Sequence, residues 1–241
     1  MDKPAGQKRS AVRASAVSAI EPVAVEKRPR GRPRKTLGER DDGNRRVELI
    51  HAAARLFRRK GFDATSTRDI AAAVGMHSGS PFYHFKSKGA LLYAVMDEGM
   101  RSAILQQTAA LQAAVQSAPD AAALLHLLIR NHFDVLLGRG SDFIPVMLYE
   151  SRSITARQRL SLAKLQGDYE SVWEPVLQAL SSQGRLNCPV KLARLLIFGA
   201  LNWSVQWFDA KKGASLDALA DAAMALFIGE SPVKSAKKVH L

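Results

Sequence analysis

From residue 44 onward, apolar residues return at three- and four-residue spacing almost without a break, the period of helices that each bury one face. Val47, Ile50, Ala54 and Phe57 set such a stripe and predict a helix over 45–60 that stops at Gly61. Ile70, Ala71 and Val74 predict a short second helix, with Thr67 as N-cap and Gly75 in the left-handed position that ends it. Ser78 stands where it would cap a short third helix carrying Ser80, Phe82, Tyr83 and His84. Ser87 caps a fourth, which runs through Leu91, Leu92, Val95 and Met96 toward Val115, and Gly99 falls in it near the passage from a small unit to a larger one. Pro119 opens a fifth helix with a broad apolar face from Leu124 to Leu136, and Gly138 and Gly140 break it. A shorter segment over 142–153 follows, then a long helix from Thr155 through Leu180 that Pro175 should bend. Pro189 opens the most apolar helix, reaching Trp207, and Ser215 caps the last, through Phe227. The count is about nine helices. No strand alternation and no internal repeat interrupts them, so the expected class is all-α.

The second and third helices, joined by a turn containing Gly, have the form of a helix-turn-helix. Ala71, four residues before Gly75, leaves room for the two to cross closely. The same pattern would also suit an ordinary helical hairpin. The flanks add Ile50-His51-Ala52-Ala53-Ala54-Arg55-Leu56-Phe57, then Lys60-Gly61-Phe62, Thr65-Ser66-Thr67-Arg68-Asp69-Ile70-Ala71 and Tyr83-His84-Phe85-Lys86-Ser87-Lys88-Gly89-Ala90-Leu91-Leu92. Residues 44–95 thereby resemble the DNA-binding domain of the tetracycline-repressor (TetR) family of one-component bacterial regulators. The resemblance implies a three-helix DNA-binding head, a connecting helix, and a helical body for ligand and dimer contacts. It also implies that the helix beginning at Ser78 enters a major groove, with Ser80 and Phe82 facing bases and Tyr83 and His84 near the backbone. Pro81 replaces the family's usual Leu at little cost in a first turn, whose amides lack intrahelical partners anyway. Phe82 replaces its usual Tyr and has no hydroxyl to offer a phosphate. Lys88 at the start of the fourth helix and Thr65 and Thr67 at the start of the second are expected at phosphates, and Arg45 ahead of the first either at a phosphate or on a solvated face.

The charge agrees with a polyanionic partner. The formal net charge is +13, and residues 1–60 carry 17 Lys/Arg against 7 Asp/Glu, whereas residues 61–229 carry 15 against 14. The excess cations therefore sit beside the helix-turn-helix. Residues 1–43 are poor in aromatics and rich in Lys, Arg, Ala, Ser and Pro, a composition expected to be disordered when free. Within them Arg30-Gly31-Arg32-Pro33, with basic flanks, resembles an AT-hook. Arg30 and Arg32 would lie along an A·T minor groove, or would touch phosphates as a plain basic tail. An architectural AT-hook protein without a ligand is thus the rival reading. The nearly neutral, aromatic-bearing body argues against it, since an architectural protein needs none.

Residues 143–228 are similar to the C-terminal region of TetR-type repressors of lipid and steroid catabolism, which acyl-CoA thioesters release from DNA. The likeness rests on Tyr149-Glu150-Ser151-Arg152-Ser153, Gly167-Asp168-Tyr169-Glu170 and Leu196-Ile197-Phe198-Gly199-Ala200-Leu201-Asn202-Trp203. It implies an acyl-CoA effector. Phe133, Met147, Trp173 and Trp203 are candidates to line its site, or else to fill the core or a dimer seam. Arg152, Arg157 and Arg159 are the nearest cations for its phosphates. Leu196, Gly199, Ala200, Leu219 and Phe227 mark the last two helices as the expected homodimer seam.

Other chemistries find no support in the residues. One cysteine, Cys188, and six scattered His suggest neither a disulfide nor a metal site, and there is no nucleophile elbow or Gly-rich phosphate loop. No cofactor, enzymatic activity or membrane span is expected, and the cytoplasm is the expected location. The domains read as a basic arm over 1–43, a DNA-binding head over 44–90, a ligand and dimer body over 91–229, and a tail over 230–241. The expected function is a ligand-responsive transcription factor, a repressor of double-stranded operator DNA.

Overall fold

The computed structural model describes residues 37–77, 81–138 and 140–228, and within them all side chains except those of 37–43, Phe82 and Ala210. Every regular element among these is helical: α1 Leu37–Lys60, α2 Thr67–Ala73, α3 Pro81–His84, α4 Lys88–Ala114, α5 Ala121–Leu137, α6 Phe143–Glu150, α7 Ala156–Ser171, α8 Trp173–Ser182, α9 Val190–Trp207 and α10 Leu216–Phe227. The chain is all-α, as its periodicity demands. Ten α-helical segments replace the nine expected because the long seventh is broken. The break lies at Val172, not Pro175. Pro175 sits in the first turn of α8, where the missing amide hydrogen costs no helical bond.

Local chemistry sets the ends. Ser87, Thr155 and Ser215 each accept a hydrogen bond from the amide three residues on, and Thr155 forms a reciprocal capping box with Gln158. The cap of α2 is Ser66 and not Thr67, which is the first helical residue. Ser66 Oγ accepts from the Asp69 amide, and the Asp69 carboxylate accepts from the Ser66 amide at 2.9 Å. These bonds to Ser66 hold the Asp69 carboxyl below its ordinary range. Gly75 follows α2 at φ +66°, as expected of a residue free of Cβ strain. Helix α1 begins at Leu37, ahead of the expected Arg45, so 37–43 is helical and not part of an extended arm. Two Gly and the absence of an apolar repeat hid that extension. Of the expected inner stripe Ile50, Ala54 and Phe57 are buried, together with Leu49, Ala53 and Leu56, whereas Val47 is 49 % exposed.

The head, α1–α3, packs through Phe57, Ile70 and Phe85 against Leu91, Leu92 and Val95 of α4. Helix α4 continues into the body, where it packs on α5, α6 and α7. Helix α5 is central and packs on α4, α8, α9 and α10. Leu125, Leu128, Ile129 and Leu136 of α5 are fully buried with Trp173, Leu177 and Leu180 of α8. Each such side chain contributes about 1.5–3 kcal/mol of burial. Gly99 marks the α4–α6 crossing. A Cβ there would lie 2.6 Å from Cβ of Phe143, so only glycine permits this approach. Among the described residues no helix is long and apolar enough to cross a membrane.

Candidate functional site

The head presents α3 outward. Pro81 and Phe85 turn inward and anchor it, while Tyr83 between them is 92 % exposed and His84 is half-buried. Arg46 lies over the Phe85 ring at 5.0 Å. Arg45 pairs with Glu48 at 3.0 Å and reaches the Val74 carbonyl at 3.4 Å, which ties the middle of α1 to the end of α2. Ser78 and Ser80 lie outside the described residues, as do Arg30, Arg32 and the side chain of Phe82.

Two expected phosphate contacts have other employment. The Lys88 ammonium donates to the carbonyls of Phe62 at 2.8 Å and Thr65 at 3.0 Å, and it sits 4.3 Å from the centre of the Phe62 ring. It closes the α1–α2 turn, where the Phe62 carbonyl also accepts from the Thr65 amide at 3.3 Å. Thr65 is fully buried, and its hydroxyl donates to the Gly61 carbonyl at 2.8 Å. Thr67 is half-buried, at the N-terminal end of α2.

The body holds a narrow cavity of about 30 Å³, walled by Met100 and Ala103 of α4, His132 and Val135 of α5, Ile144, Met147 and Leu148 of α6, Gln166, Tyr169 and Glu170 of α7, and Phe198 and Asn202 of α9. Buried His132 makes two bonds there, with the Tyr169 hydroxyl at 3.0 Å through Nδ1 and with Asn202 Oδ1 at 3.1 Å through Nε2. Burial pushes His132 down to about 4, so the ring is neutral at physiological pH. Burial, with the Glu170 carboxylate adding to it, raises the Tyr169 phenol. Glu170 is held by Arg194 and by Gln166 Nε2 at 2.9 Å. The Gln107 side chain accepts from Trp173 Nε1 at 2.9 Å and donates to the Tyr169 carbonyl, which fixes α7 and α8 on α4.

Of the four residues expected to line a ligand site, Met147 reaches the cavity. Phe133 and Trp173 are buried in the core instead, and Trp173 lies behind His132 with its ring edge-on at 5.9 Å. Trp203 is 64 % exposed on the outer face of α9. There it joins Leu192, Leu195, Leu196 and Trp207, each more than half exposed, with Gly199 and Ala200 between them. On α10, Leu219 and Phe227 are partly turned into their own body and Leu226 points out. Sequence reasoning missed His132, Tyr169 and Asn202. The signal was a lone histidine inside the apolar stripe of α5 and a lone asparagine inside that of α9.

Helix α6 touches both cavity and head. Asp142, just before it, pairs with Arg58 of α1 at 3.3 Å, and Arg58 also donates to the Ser141 carbonyl. The Phe143 and His51 rings meet edge to face at 5.0 Å. Glu150, at the other end, accepts from the Phe62 amide at 2.9 Å.

Known proteins share this arrangement. The family model described as bacterial regulatory proteins, tetR family, matches residues 49–95, and the one described as the tetracyclin repressor-like C-terminal domain matches residues 118–230. The chain belongs to the TetR family. Among its TetR relatives is the HTH-type transcriptional repressor KstR2 of Rhodococcus jostii (strain RHA1), 29 % identical over 179 residues, which are 73 % of this chain and 85 % of the relative. The crystal structure of superantigen PfiT is similar at 35 % identity and a TM-score of 0.63, covering 76 % of this chain and 95 % of that one. AibR, solved in complex with isovaleryl coenzyme A and operator DNA, shares the fold at 23 % identity and a TM-score of 0.67, over 76 % of this chain and 97 % of its own. The protein is therefore a helix-turn-helix transcriptional regulator of the TetR type, with repressors among its relatives. The matches span head and body together and give the architectural AT-hook reading no support.

Proposed function

We propose that this regulator is a homodimeric repressor that an acyl-CoA thioester releases from its operator, the acyl chain entering the body cavity. The observation that carries the reading is the double contact of α6. Ile144, Met147 and Leu148 face the cavity, while Asp142, Phe143 and Glu150 hold the head through Arg58, His51 and the Phe62 amide. The cavity is too narrow for an acyl chain until its walls part, so filling it pushes on α6 and α4. Burying the chain contributes ~0.8 kcal/mol per methylene. A six-carbon chain thus exceeds the roughly 1–3 kcal/mol that typically couples two sites. The exposed Arg152 and Arg157, just beyond α6, are available to the phosphates of CoA. AibR, on the same fold, was solved with isovaleryl coenzyme A bound, which supports an acyl-CoA as the class of effector.

On DNA, α3 enters the major groove. Ser80 and Phe82 face bases, Tyr83 and His84 the backbone, and Arg30 and Arg32 of the arm the neighbouring minor groove or its phosphates. The exposed apolar face of α9, with Leu226 of α10, forms the dimer seam and places two heads on successive major grooves. The cytoplasm is the site of action. The test is a fluorescent operator complex titrated with free CoA, free fatty acids and acyl-CoAs of rising length. Release should require less ligand as the chain lengthens, until the cavity is full. Release by none of them, or equally by free CoA, would overturn the acyl-CoA effector.

A further inference from the structure

The cavity wall carries a polar relay whose direction can be worked out from burial. Tyr169 is 4 % exposed, and its hydroxyl has one partner among the described residues, Nδ1 of His132. A buried hydroxyl hydrogen without an acceptor is costly, so Tyr169 donates and Nδ1 accepts. The neutral ring then carries its hydrogen on Nε2 and donates it to Oδ1 of Asn202. This fixes the orientation of the Asn202 amide. Its Nδ2 group keeps both hydrogens and has no partner among the described residues, and Asn202 lines the cavity. The remaining wall is apolar except for Gln166 and Glu170, and Glu170 is already satisfied by Arg194 and Gln166. Among the described residues no Lys or Arg lines the cavity.

The geometry points to Asn202 Nδ2 as the specificity-determining donor of this cavity, taking the oxygen of an uncharged carbonyl group such as a thioester or ketone. His132 and Tyr169 are positioning residues that hold the amide with its hydrogens toward the ligand. A free carboxylate is disfavoured, because it would meet one carboxylate and no cation. This assignment rests on the proposed role of the cavity as the effector site and adds the group by which the effector is recognised.

Two measurements on the full chain test it. In the first, octanoyl-CoA and its thioether S-octyl-CoA, which lacks only the carbonyl oxygen, are titrated against the operator complex. The wild type should need about tenfold less thioester than thioether, the factor expected of one hydrogen bond. Asn202→Leu should lose that preference. So should Asn202→Asp, which still accepts from His132 and so keeps the relay intact. Where either CoA compound releases the operator, a preference absent from the wild type, or kept in both variants, overturns the assignment. The second measurement uses no CoA. In 15N-labelled protein, 2-heptanone should shift one side-chain amide pair that is missing from the Asn202→Asp spectrum, and heptanoate should not. If the Asn202 pair does not move, the assignment is overturned, whatever the operator shows. If it moves while neither CoA compound releases DNA, the acyl-CoA reading fails and the carbonyl-reading amide stands.

Discussion

Replacing His132 by Gln should flatten the acid dependence of stability. In the folded chain burial holds the imidazole at about 4, against 6.5 when unfolded. Between these values the unfolded chain binds a proton that the folded chain refuses, so stability rises with pH. The contribution is fully present above pH 6.5 and is lost as pH falls toward 4. The gap corresponds to about 3 kcal/mol when fully expressed, and to about 2 kcal/mol between pH 7 and pH 5. Protonation would also put a hydrogen on Nδ1, facing the Tyr169 hydroxyl that now donates to it. His132→Gln removes the titration and keeps a polar side chain beside Tyr169 and Asn202. Urea unfolding at pH 7, 6 and 5, at one fixed protein concentration, gives the stability of both proteins. Carboxylates common to both cancel in the difference. The wild type should lose about 2 kcal/mol more than the variant over this range. Parallel pH profiles would refute the reasoning, because they would mean that His132 binds its proton equally in both states.

Glu150→Ala should leave the Phe62 amide without its acceptor, costing about 1 kcal/mol. It should also raise the octanoyl-CoA concentration needed for operator release more than that needed for a thermal shift; an equal rise in both would deny α6 its coupling role. Lys88→Met should lower the melting temperature of the protein, because the turn carbonyls of Phe62, Asp63 and Thr65 lose a shared donor; lost operator affinity with unchanged melting would restore the phosphate contact. Trp203→Glu should yield monomers in sedimentation equilibrium at micromolar concentration, whereas a persistent dimer would move the seam off α9. Deleting residues 1–36, which hold ten Lys/Arg, should flatten the dependence of operator affinity on salt. An unchanged slope would show that the arm touches no phosphate.

The helix-turn-helix was legible because its signals are local: Gly75 ends α2, Ser87 caps α4, and Ile70 and Ala71 face inward, all within a few residues of one another. Ser66 was mistaken for its neighbour Thr67 since both residue types cap, and only the reciprocal bond with Asp69 separates them. The body was harder. Helix α9 is apolar on nearly every side, so spacing does not separate Phe198, which faces its own core, from Trp203, which faces out. Trp173 and Phe133 fit a ligand site by composition, yet both are core: Trp173 is fully buried against His132 of α5 and Phe198 of α9, and Phe133 is buried on α5. Lys88 reads as a free cation in sequence, and it is the folded turn that sets three carbonyls around its ammonium.

The two-faced placement of α6 limits how such a protein can change. A substitution at Ile144, Met147 or Leu148 that reshapes the cavity also moves the helix that grips the head, so ligand preference and the threshold of response shift together. The walls supplied by α7 and α9 pack on α4, α5 and α8. Residues there, Gln166 and Phe198 among them, can be exchanged to admit a different ligand while the hold of α6 on the head stays as it was. A library confined to α7 and α9 should therefore yield regulators with new inducers and the old switching midpoint, and one confined to α6 should yield regulators that are permanently on or off.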